Sequence, residues 1–288
     1  VVGMGSVGAR RLNAGSDLDL IVIYDAGQAE ASDGPRPLAV RPYYARLTQA
    51  LVTALTAQMP EGRLYEVDMR LRPSGRQGPV ATSVQSFMSY QETEAWTWEH
   101  LALTRARVLA GEPGLAGEVE AFRRRLLPVK GQGSAVRADV AAMRARLQAA
   151  KPSDGVWDAK NGPGRLMDIE LAAQTVALLS GSPAREVDRQ IAAGTGAHVP
   201  ESDAQALTAA YTLLWRLHAA ARLLTGGALE MGTLGDGARA FLLRETGEAD
   251  PAALAAVLGE RTRAAAEAVG RLLGDGTDGE AGDGSGRG

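Results

Sequence analysis

The sequence contains no cysteine and only three histidines. The lack of cysteine excludes disulfides, thiolate nucleophiles, cysteine-ligated zinc and iron–sulfur clusters, and it is common in proteins of reducing compartments. Three histidines also disfavour a metal site built from imidazoles. We therefore expect a cytoplasmic location and a reaction that uses neither thiol nor histidine-metal chemistry.

Long uncharged apolar runs and an excess of basic residues are also missing. The richest apolar stretch, residues 213–224, is interrupted by Arg216, His218 and Arg222, whereas a membrane-spanning helix needs about 18 or more apolar residues. The formal net charge is -3, and nucleic-acid-binding proteins usually carry a basic face instead. We therefore expect neither a membrane nor a nucleic acid as partner.

The 288 residues, of which 45% are hydrophobic and 23% charged, suffice for one large or two moderate domains. Strand patterns at residues 18–24 and 64–71 enclose a helical pattern at 41–59, and from residue 84 onward the patterns are helical. We predict a mixed domain over 1–115, a helical domain over 116–273 and a disordered tail over 274–288. Because the chain opens at Val1 within a strand-like segment, we expect the first domain to lack its N-terminal strand.

A glycine-rich turn near the start of the chain permits two interpretations. Gly3, Gly5 and Gly8 fit the G-x-G-x-x-G pattern of dinucleotide-binding proteins, with Asp25 as the acidic residue that contacts ribose. Only residues 9–13 remain for the crossover helix, however, and a parallel crossover needs a dozen or more residues. The alternative is that Gly5 and Ser6 open a short helix whose first amides face phosphate oxygens.

Three aspartates follow this turn on segments that resemble strands. Asp17 and Asp19 are two residues apart and share one strand face, and Asp68 lies on the polar face of the alternating segment 65–72. Each feature alone is common on solvated strand faces with surface ion pairs. Together, three carboxylates and a phosphate-binding turn indicate a nucleotide site with Mg²⁺, which is usually bound by one or two carboxylates and substrate phosphates.

Three longer segments carry a more specific resemblance. They are LNAGSDLDLI at residues 12–21, YEVDMRLRPSG at 65–75 and EAWTWEHLALTRARV at 94–108. The chain resembles the glutamine synthetase adenylyltransferase family over about residues 1–270, and its C-terminal adenylylating half more than its deadenylylating half. The resemblance implies an α+β fold, with a small nucleotidyltransferase-type mixed sheet and helices followed by an all-helical bundle.

The resemblance also implies roles for individual residues. Asp17 and Asp19 would bind two Mg²⁺ ions, and Asp68 would complete the metal site or act as a base. The predicted residues for ATP binding are Gly5, Ser6, Ser16, Arg70, Arg72 and Ser74. In the segment at 94–108, we expect Trp96 and Trp98 to pack in the core and between domains.

The implied activity is transfer of AMP from ATP to a tyrosine hydroxyl of glutamine synthetase, with the PII signalling protein as a regulatory partner. Three alternatives stay open: the adenylyl-removing half of the same enzyme, a nucleotidyltransferase acting on another protein or RNA, and a catalytically silent nucleotide-binding regulatory domain. The sequence departs from the family pattern at Ser6, Arg165 and Leu171, where the family usually has Lys, Gly and Phe.

Overall fold

A computed structural model describes residues 1–63, 65–226 and 228–274. The predicted disordered tail therefore lies outside the described residues, apart from Gly274. The chain forms two compact units, the first of which comprises Val1–Gln132 and Val176–Ala193. The second comprises Gly133–Thr175 and the chain from Gly194 onward.

Unit 1 contains a five-stranded sheet and its helices. The strands are β1 (Val2–Gly3), β2 (Leu18–Tyr24), β3 (Val67–Asp68), β4 (Ala81–Ser83) and β5 (Arg107–Val108). The helices are α1 (Gly5–Gly8), α2 (Val40–Leu55), α3 (Val84–Thr93), α4 (Thr97–Thr104) and α5 (Pro113–Gly131), with a 3-10 helix at Gly75–Gln77.

The sheet has the order β3-β2-β1-β5, and β4 also pairs with β2. Strand β1 is antiparallel to β2 and β5, whereas β3 and β4 are parallel to β2. Dinucleotide-binding folds instead join their first two strands in parallel, so the antiparallel β1–β2 pair excludes that interpretation of the glycine turn. Ile21 and Ile23 of β2 pack with Phe87 of α3 and Phe122 of α5 in the core of this unit.

Unit 2 is helical. Its helices are α6 (Val136–Ala150), the first part of α7 (Leu166–Leu179), the last residue of α8 (Val187–Gly194), α9 (Glu201–Leu224), α10 (Asp236–Thr246) and α11 (Pro251–Leu273). Helix α11 packs along α9 and also contacts α6. Leu207, Leu214, Leu258 and Val269 are fully buried and form its core.

The predicted α+β fold is confirmed, with two corrections to its elements. Over residues 65–71, the described part of the strand predicted at 64–71, the strand is restricted to Val67–Asp68, because the backbone N–H of Arg70 donates to the Asp68 carboxylate and turns the chain. The helical pattern over 84–109 is divided into α3 and α4 by residues 94–96. The predicted domain boundary after residue 115 falls inside α5, and as a division into domains it stays a prediction.

No helix within the described part of the chain is long and apolar enough to cross a membrane.

Candidate functional site

The site begins where the glycine turn meets strand β2. Gly5 has a φ of +47°, in the left-handed region, and a Cβ built on it would lie 2.3 Å from Asp19 Oδ2. The backbone N–H of Met4 donates to the Asp19 carbonyl at 2.8 Å. A side chain at residue 5 would therefore displace the Asp19 carboxylate, so glycine is required for both the turn and the carboxylate position.

Asp19 and Asp68 are direct partners across two parallel strands. Leu18 pairs with Val67 and Asp19 with Asp68, and the Leu18 N–H extends the ladder by donating to the Glu66 carbonyl at 2.8 Å. Neighbouring strands lie about 4.8 Å apart, and residues in register point to the same face. Asp17 lies two residues before Asp19, just ahead of β2. The fold thus brings together carboxylates that are about 50 residues apart in sequence.

Arg70 is the cation that faces these carboxylates. Its Nε donates to Asp68 Oδ2 at 2.6 Å, and its backbone N–H donates to Asp68 Oδ1 at 2.8 Å. The hydrogen bond from Arg70 holds the pKa of Asp68 below its usual value. The pKa of Arg70 is raised by its hydrogen bond to Asp68, and charge interactions with Asp19 and Asp17 raise it further. All three aspartates therefore lie within electrostatic reach of one guanidinium group.

The loop after β3 is organised by Arg72. Its guanidinium donates to the carbonyls of Met69 at 2.8 Å, Gly78 at 3.1 Å and Arg76 at 3.1 Å. These bonds fold residues 69–78 around the side chain. In the structure, the Arg72 guanidinium therefore organises the loop. Direct contact between Arg72 and phosphate stays a prediction.

Ser74 is held in the same loop by a network that the sequence did not predict. It has a φ of 58°, a left-handed conformation that is uncommon for a residue with a side chain. Its backbone N–H and its hydroxyl both hydrogen-bond to Tyr90, whose hydroxyl donates to Glu99 at 2.9 Å. Glu99 also accepts from the Trp96 N–H at 3.0 Å. Glu99 is the third residue of α4, a position at which Glu often caps a helix start. This local signal could have identified Glu99 as part of the network.

Two predicted ligand residues have different surroundings. The Ser16 hydroxyl donates to Asn13 Oδ1 at 3.1 Å and accepts from the Asn13 N–H at 3.0 Å, so it closes the turn that precedes β2. Ser6 lies in α1 and is half-buried, next to Gly5. The predicted contacts of both serines with nucleotide stay predictions.

The fit of this site to a divalent cation rests on the Asp19 and Asp68 pair. Among the described residues, no group of three or more acidic or histidine side chains is close enough to hold a metal ion. Mg²⁺ needs only one or two carboxylates when phosphates and water supply its other ligands. Two carboxylates in register satisfy that requirement, and their mutual repulsion favours a bound cation.

A buried ion network in unit 1 joins α5 to the end of α4 and to the segment at Pro183. The Arg123 guanidinium, 1% exposed, donates to the carbonyls of Thr104 and Pro183 and to the Glu120 carboxylate. Burial raises the pKa of Glu120, but hydrogen bonds from Arg123 and Arg124 and the charges of Arg123 and Arg185 outweigh it and lower the pKa to about 2. Glu120 therefore remains ionised at neutral pH.

The tryptophans differ from the prediction. Trp96 is 63% exposed and Trp98 46% exposed, and their rings stack with centroids 5.1 Å apart. The prediction that both tryptophans pack in the core is therefore wrong: Trp96 precedes α4, Trp98 lies in its first turn, and both rings are exposed.

In unit 2, Asp168 is buried and paired. Arg144 donates to its two oxygens at 2.7 and 2.9 Å, and the Gly164 N–H donates at 2.8 Å. Gly164 has a φ of +67°, and a Cβ there would lie 1.8 Å from the Thr262 carbonyl oxygen. The glycine turn before α7 thus has a packing function within this unit.

Comparisons with known proteins indicate the family that this chain resembles. Residues 1–121 match the family model described as glutamate-ammonia ligase adenylyltransferase, and residues 135–275 match the model described as GlnD PII-uridylyltransferase. Three relatives are each named bifunctional glutamine synthetase adenylyltransferase/adenylyl-removing enzyme.

The relative from Rhizobium meliloti is 51% identical over 188 residues, which are 65% of this chain and 19% of the relative. The one from Mesorhizobium japonicum is 42% identical over 91% of this chain and 27% of its own length. The one from Brucella suis is 38% identical over 96% of this chain and 29% of its own length. The chain therefore spans less than a third of each relative.

Proposed function

Because the chain belongs to the glutamine synthetase adenylyltransferase family, we propose that unit 1 transfers AMP from ATP to a tyrosine hydroxyl of glutamine synthetase. The observation that carries the proposal is the pairing of Asp19 with Asp68 in register, with Arg70 facing both. This arrangement offers two carboxylates for a cation and one guanidinium for phosphate, which are the groups that nucleotidyl transfer requires.

The proposed reaction is a displacement at the α-phosphorus of ATP. The phenolic oxygen forms a bond to that phosphorus, the bond to the oxygen that bridges the α- and β-phosphates breaks, and pyrophosphate leaves with its electron pair. The phenolic proton passes to solvent. A free phenol has a pKa near 10, and bound Mg²⁺ would supply stabilisation of phenolate and of the phosphate charges.

We assign Asp19 and Asp68 to the cation, with Asp17 beside them. Of the two roles that the resemblance allows Asp68, the cation-binding role is better supported than the base role. The hydrogen bond from Arg70 lowers the pKa of Asp68, and a carboxylate with a low pKa is a weak proton acceptor. Asp17 completes the negative charge of the site and would contact a second ion.

The phosphates are assigned to residues that border the carboxylates. A Cβ on Gly5 would lie 2.3 Å from Asp19 Oδ2, so the backbone of Gly5 lies beside that carboxylate. We assign the phosphates to this backbone and to the hydroxyl of the next residue, Ser6. Arg70 is exposed and can reach the departing pyrophosphate, for which a planar guanidinium is well suited. Arg72, Ser74 and Ser16 are proposed to act by holding the two loops that carry these groups.

The experiment combines this chain with purified glutamine synthetase, Mg²⁺ and ATP labelled at the α-phosphate, and measures label bound covalently to the synthetase. We expect transfer by the unaltered chain, and a loss of at least about 100-fold in Asp19→Asn, as for removal of a group that stabilises the transition state. Asp25→Asn is the matched control. It makes the same change at the exposed far end of β2, where Asp25 caps a turn, and should keep full activity.

Two further arms distinguish the alternatives. Synthetase that already carries labelled AMP, incubated with this chain and phosphate, would release labelled ADP if the chain is the adenylyl-removing half. PII protein with α-labelled UTP tests the second candidate, which is favoured by the match of residues 135–275 to the uridylyltransferase model. Label on PII and none on the synthetase would assign the chain to uridylyl transfer. Absence of transferred or released label in every arm, from a chain shown to be folded, would refute both activities on glutamine synthetase and uridylyl transfer to PII, and would favour a silent nucleotide-binding domain.

A further inference from the structure

We infer that Arg70 competes with the divalent cation for Asp68, and that cation binding releases its guanidinium to contact the phosphates of the nucleotide. The inference rests on the proposed function, because it concerns the same carboxylates. In a simple phosphate-binding role, Arg70 would contact only the nucleotide. Here Arg70 first binds Asp68 and then the phosphates, so it weakens cation binding and strengthens nucleotide binding.

The first observation is how completely Arg70 engages Asp68. The backbone N–H of Arg70 binds Asp68 Oδ1, and its Nε binds Oδ2, so both carboxylate oxygens accept a hydrogen bond from one residue. A cation bound between Asp19 and Asp68 needs an oxygen of Asp68 as ligand. We assign Oδ2 as that ligand, because Oδ1 accepts the backbone N–H that closes the turn. The side-chain bond from Arg70 then competes with the cation for Oδ2, whereas the backbone bond at Oδ1 can persist.

The second observation is that the two partners are unequally constrained. The Asp68 side chain is 13% exposed, whereas that of Arg70 is 61% exposed. The Asp68 carboxylate is fixed by its strand and by the turn that the Arg70 backbone closes. Among the described residues, the hydrogen bonds of the Arg70 guanidinium go to Asp68, and an ion pair with one partner largely in solvent contributes little to stability. It can therefore leave Asp68 without disturbing the loop.

The third observation is charge. Arg70 interacts electrostatically with Asp17 and Asp19 as well as Asp68, so it neutralises the same group of carboxylates that would bind the cation. Arg72 cannot substitute for it, because the Arg72 guanidinium is bound to three backbone carbonyls. Once a cation neutralises the aspartates, nearby phosphate oxygens become the favourable partner for Arg70.

The test measures the affinity of the full chain for Mn²⁺ alone and for Mg²⁺-ATP, and the inference predicts that loss of Arg70 changes these two affinities in opposite directions. Mn²⁺ replaces Mg²⁺ because both prefer oxygen ligands, and the electron paramagnetic resonance signal of free Mn²⁺ reports binding without any catalysis. In Arg70→Gln, we expect Mn²⁺ alone to bind about threefold to tenfold more tightly, because an exposed competing ion pair and a nearby positive charge are removed. We expect the same variant to bind Mg²⁺-ATP more weakly by a similar factor.

Arg63→Gln is the matched control. Arg63 is an exposed arginine of the same segment that pairs with Glu66, so its replacement makes an equal change in net charge. It should leave both constants within about twofold of the unaltered chain, as for screened surface charges. Equal tightening of Mn²⁺ binding in both variants would assign the effect to net charge and overturn the inference.

Other outcomes separate this inference from the proposed function. If Mn²⁺ binding is lost in Asp19→Asn but unchanged or weaker in Arg70→Gln, the cation site stands and the competition is refuted. If Arg70→Gln tightens Mn²⁺ binding and leaves Mg²⁺-ATP binding unchanged or tighter, the release to phosphate is refuted. If Mn²⁺ binding does not depend on Asp19, the proposed cation site fails, and the inference fails with it.

Discussion

Replacement of Gly5 by alanine tests how the glycine turn positions the acidic residue. The substitution makes two changes: it places a side chain on a residue with φ of +47°, and it sets a Cβ 2.3 Å from Asp19 Oδ2. Gly27 offers a matched comparison, because it has a similar φ of +55° and a Cβ added there would have no atom within 4 Å. Gly27→Ala therefore makes the backbone change alone.

The side chain at positive φ is expected to lower stability, and the Cβ near Asp19 is expected to lower the rate of transfer. A left-handed conformation costs an L-residue about 1–2 kcal/mol relative to the right-handed one, so both variants should lose about that much free energy of unfolding. Only in Gly5→Ala must the Asp19 oxygen retreat, by about 1 Å, to reach the ordinary contact distance of 3.4 Å. A misplacement of about 1 Å at a reacting centre can cost about 100-fold in rate.

Urea denaturation measures the stability of both variants, and label transfer from α-labelled ATP to glutamine synthetase measures their activity. We expect similar stability losses and a transfer loss of about 100-fold in Gly5→Ala only. Full activity in a folded Gly5→Ala variant would refute the proposed contact between the turn and the Asp19 carboxylate. Equal activity losses in both variants would show that backbone strain, and not the carboxylate position, is responsible.

Three further predictions concern residues around the site. In Tyr90→Phe, the hydroxyl that binds Ser74 is lost, so we expect about 1 kcal/mol less stability by urea denaturation and a lower kcat for label transfer. Because the pKa of Glu120 is about 2 in the folded chain and its ordinary value is 4.5, its contribution to stability is present above pH 4.5 and is lost as the pH falls towards 2. After solvent screening, the loss in free energy of unfolding over this pH range is about 1–2 kcal/mol. Glu120→Gln should reduce this loss, as measured by urea denaturation across the same pH range. In Trp96→Ala, a ring that is 63% exposed but stacked on Trp98 is lost, so we expect the free energy of unfolding in urea to fall by about 0.5–1.5 kcal/mol. A loss of about 3 kcal/mol or more, as for a buried tryptophan, would contradict the exposed position.

The parts of the site that depend on local sequence could be predicted. Asp17 and Asp19 are separated by one residue before a run of apolar residues, so their common face follows from strand geometry alone. A dinucleotide-binding turn could be rejected from the sequence, because residues 9–13 are too few for the crossover of a dozen or more residues that joins parallel strands. The antiparallel pairing of β1 with β2 agrees with that count.

The parts that depend on tertiary contacts could not be predicted. The alternation of residues 65–72 suggested one long strand, but the Asp68 side chain binds the Arg70 N–H and ends the strand there. A common site for Asp19 and Asp68 was predicted, but the register that pairs these two residues directly depends on the folded sheet and follows from no local pattern. The contacts of Arg72 with three carbonyls likewise exist only once the loop is folded.

Exposure of the tryptophans has the same explanation. Large aromatic residues are usually buried, and the pattern over 84–109 was interpreted as helical throughout, although Glu99 is a local sign of a helix start. The chain instead ends α3 at Thr93 and begins α4 at Thr97, and the Glu99 carboxylate accepts from the Trp96 N–H at this break. The two tryptophans therefore lie at a helix start and not within a continuous helix.

The central claim is that Asp19 and Asp68 hold one cation together, and a double-mutant cycle on Mn²⁺ affinity tests it most directly. Asp19→Asn, Asp68→Asn and the double variant are compared with the unaltered chain in the absence of nucleotide. The account predicts that each single change weakens binding by about tenfold or more, and that the second change adds less than about threefold, because coupled ligands of one site are not additive. Losses that multiply independently, or Mn²⁺ affinity that is unchanged in either single variant, would contradict a shared site.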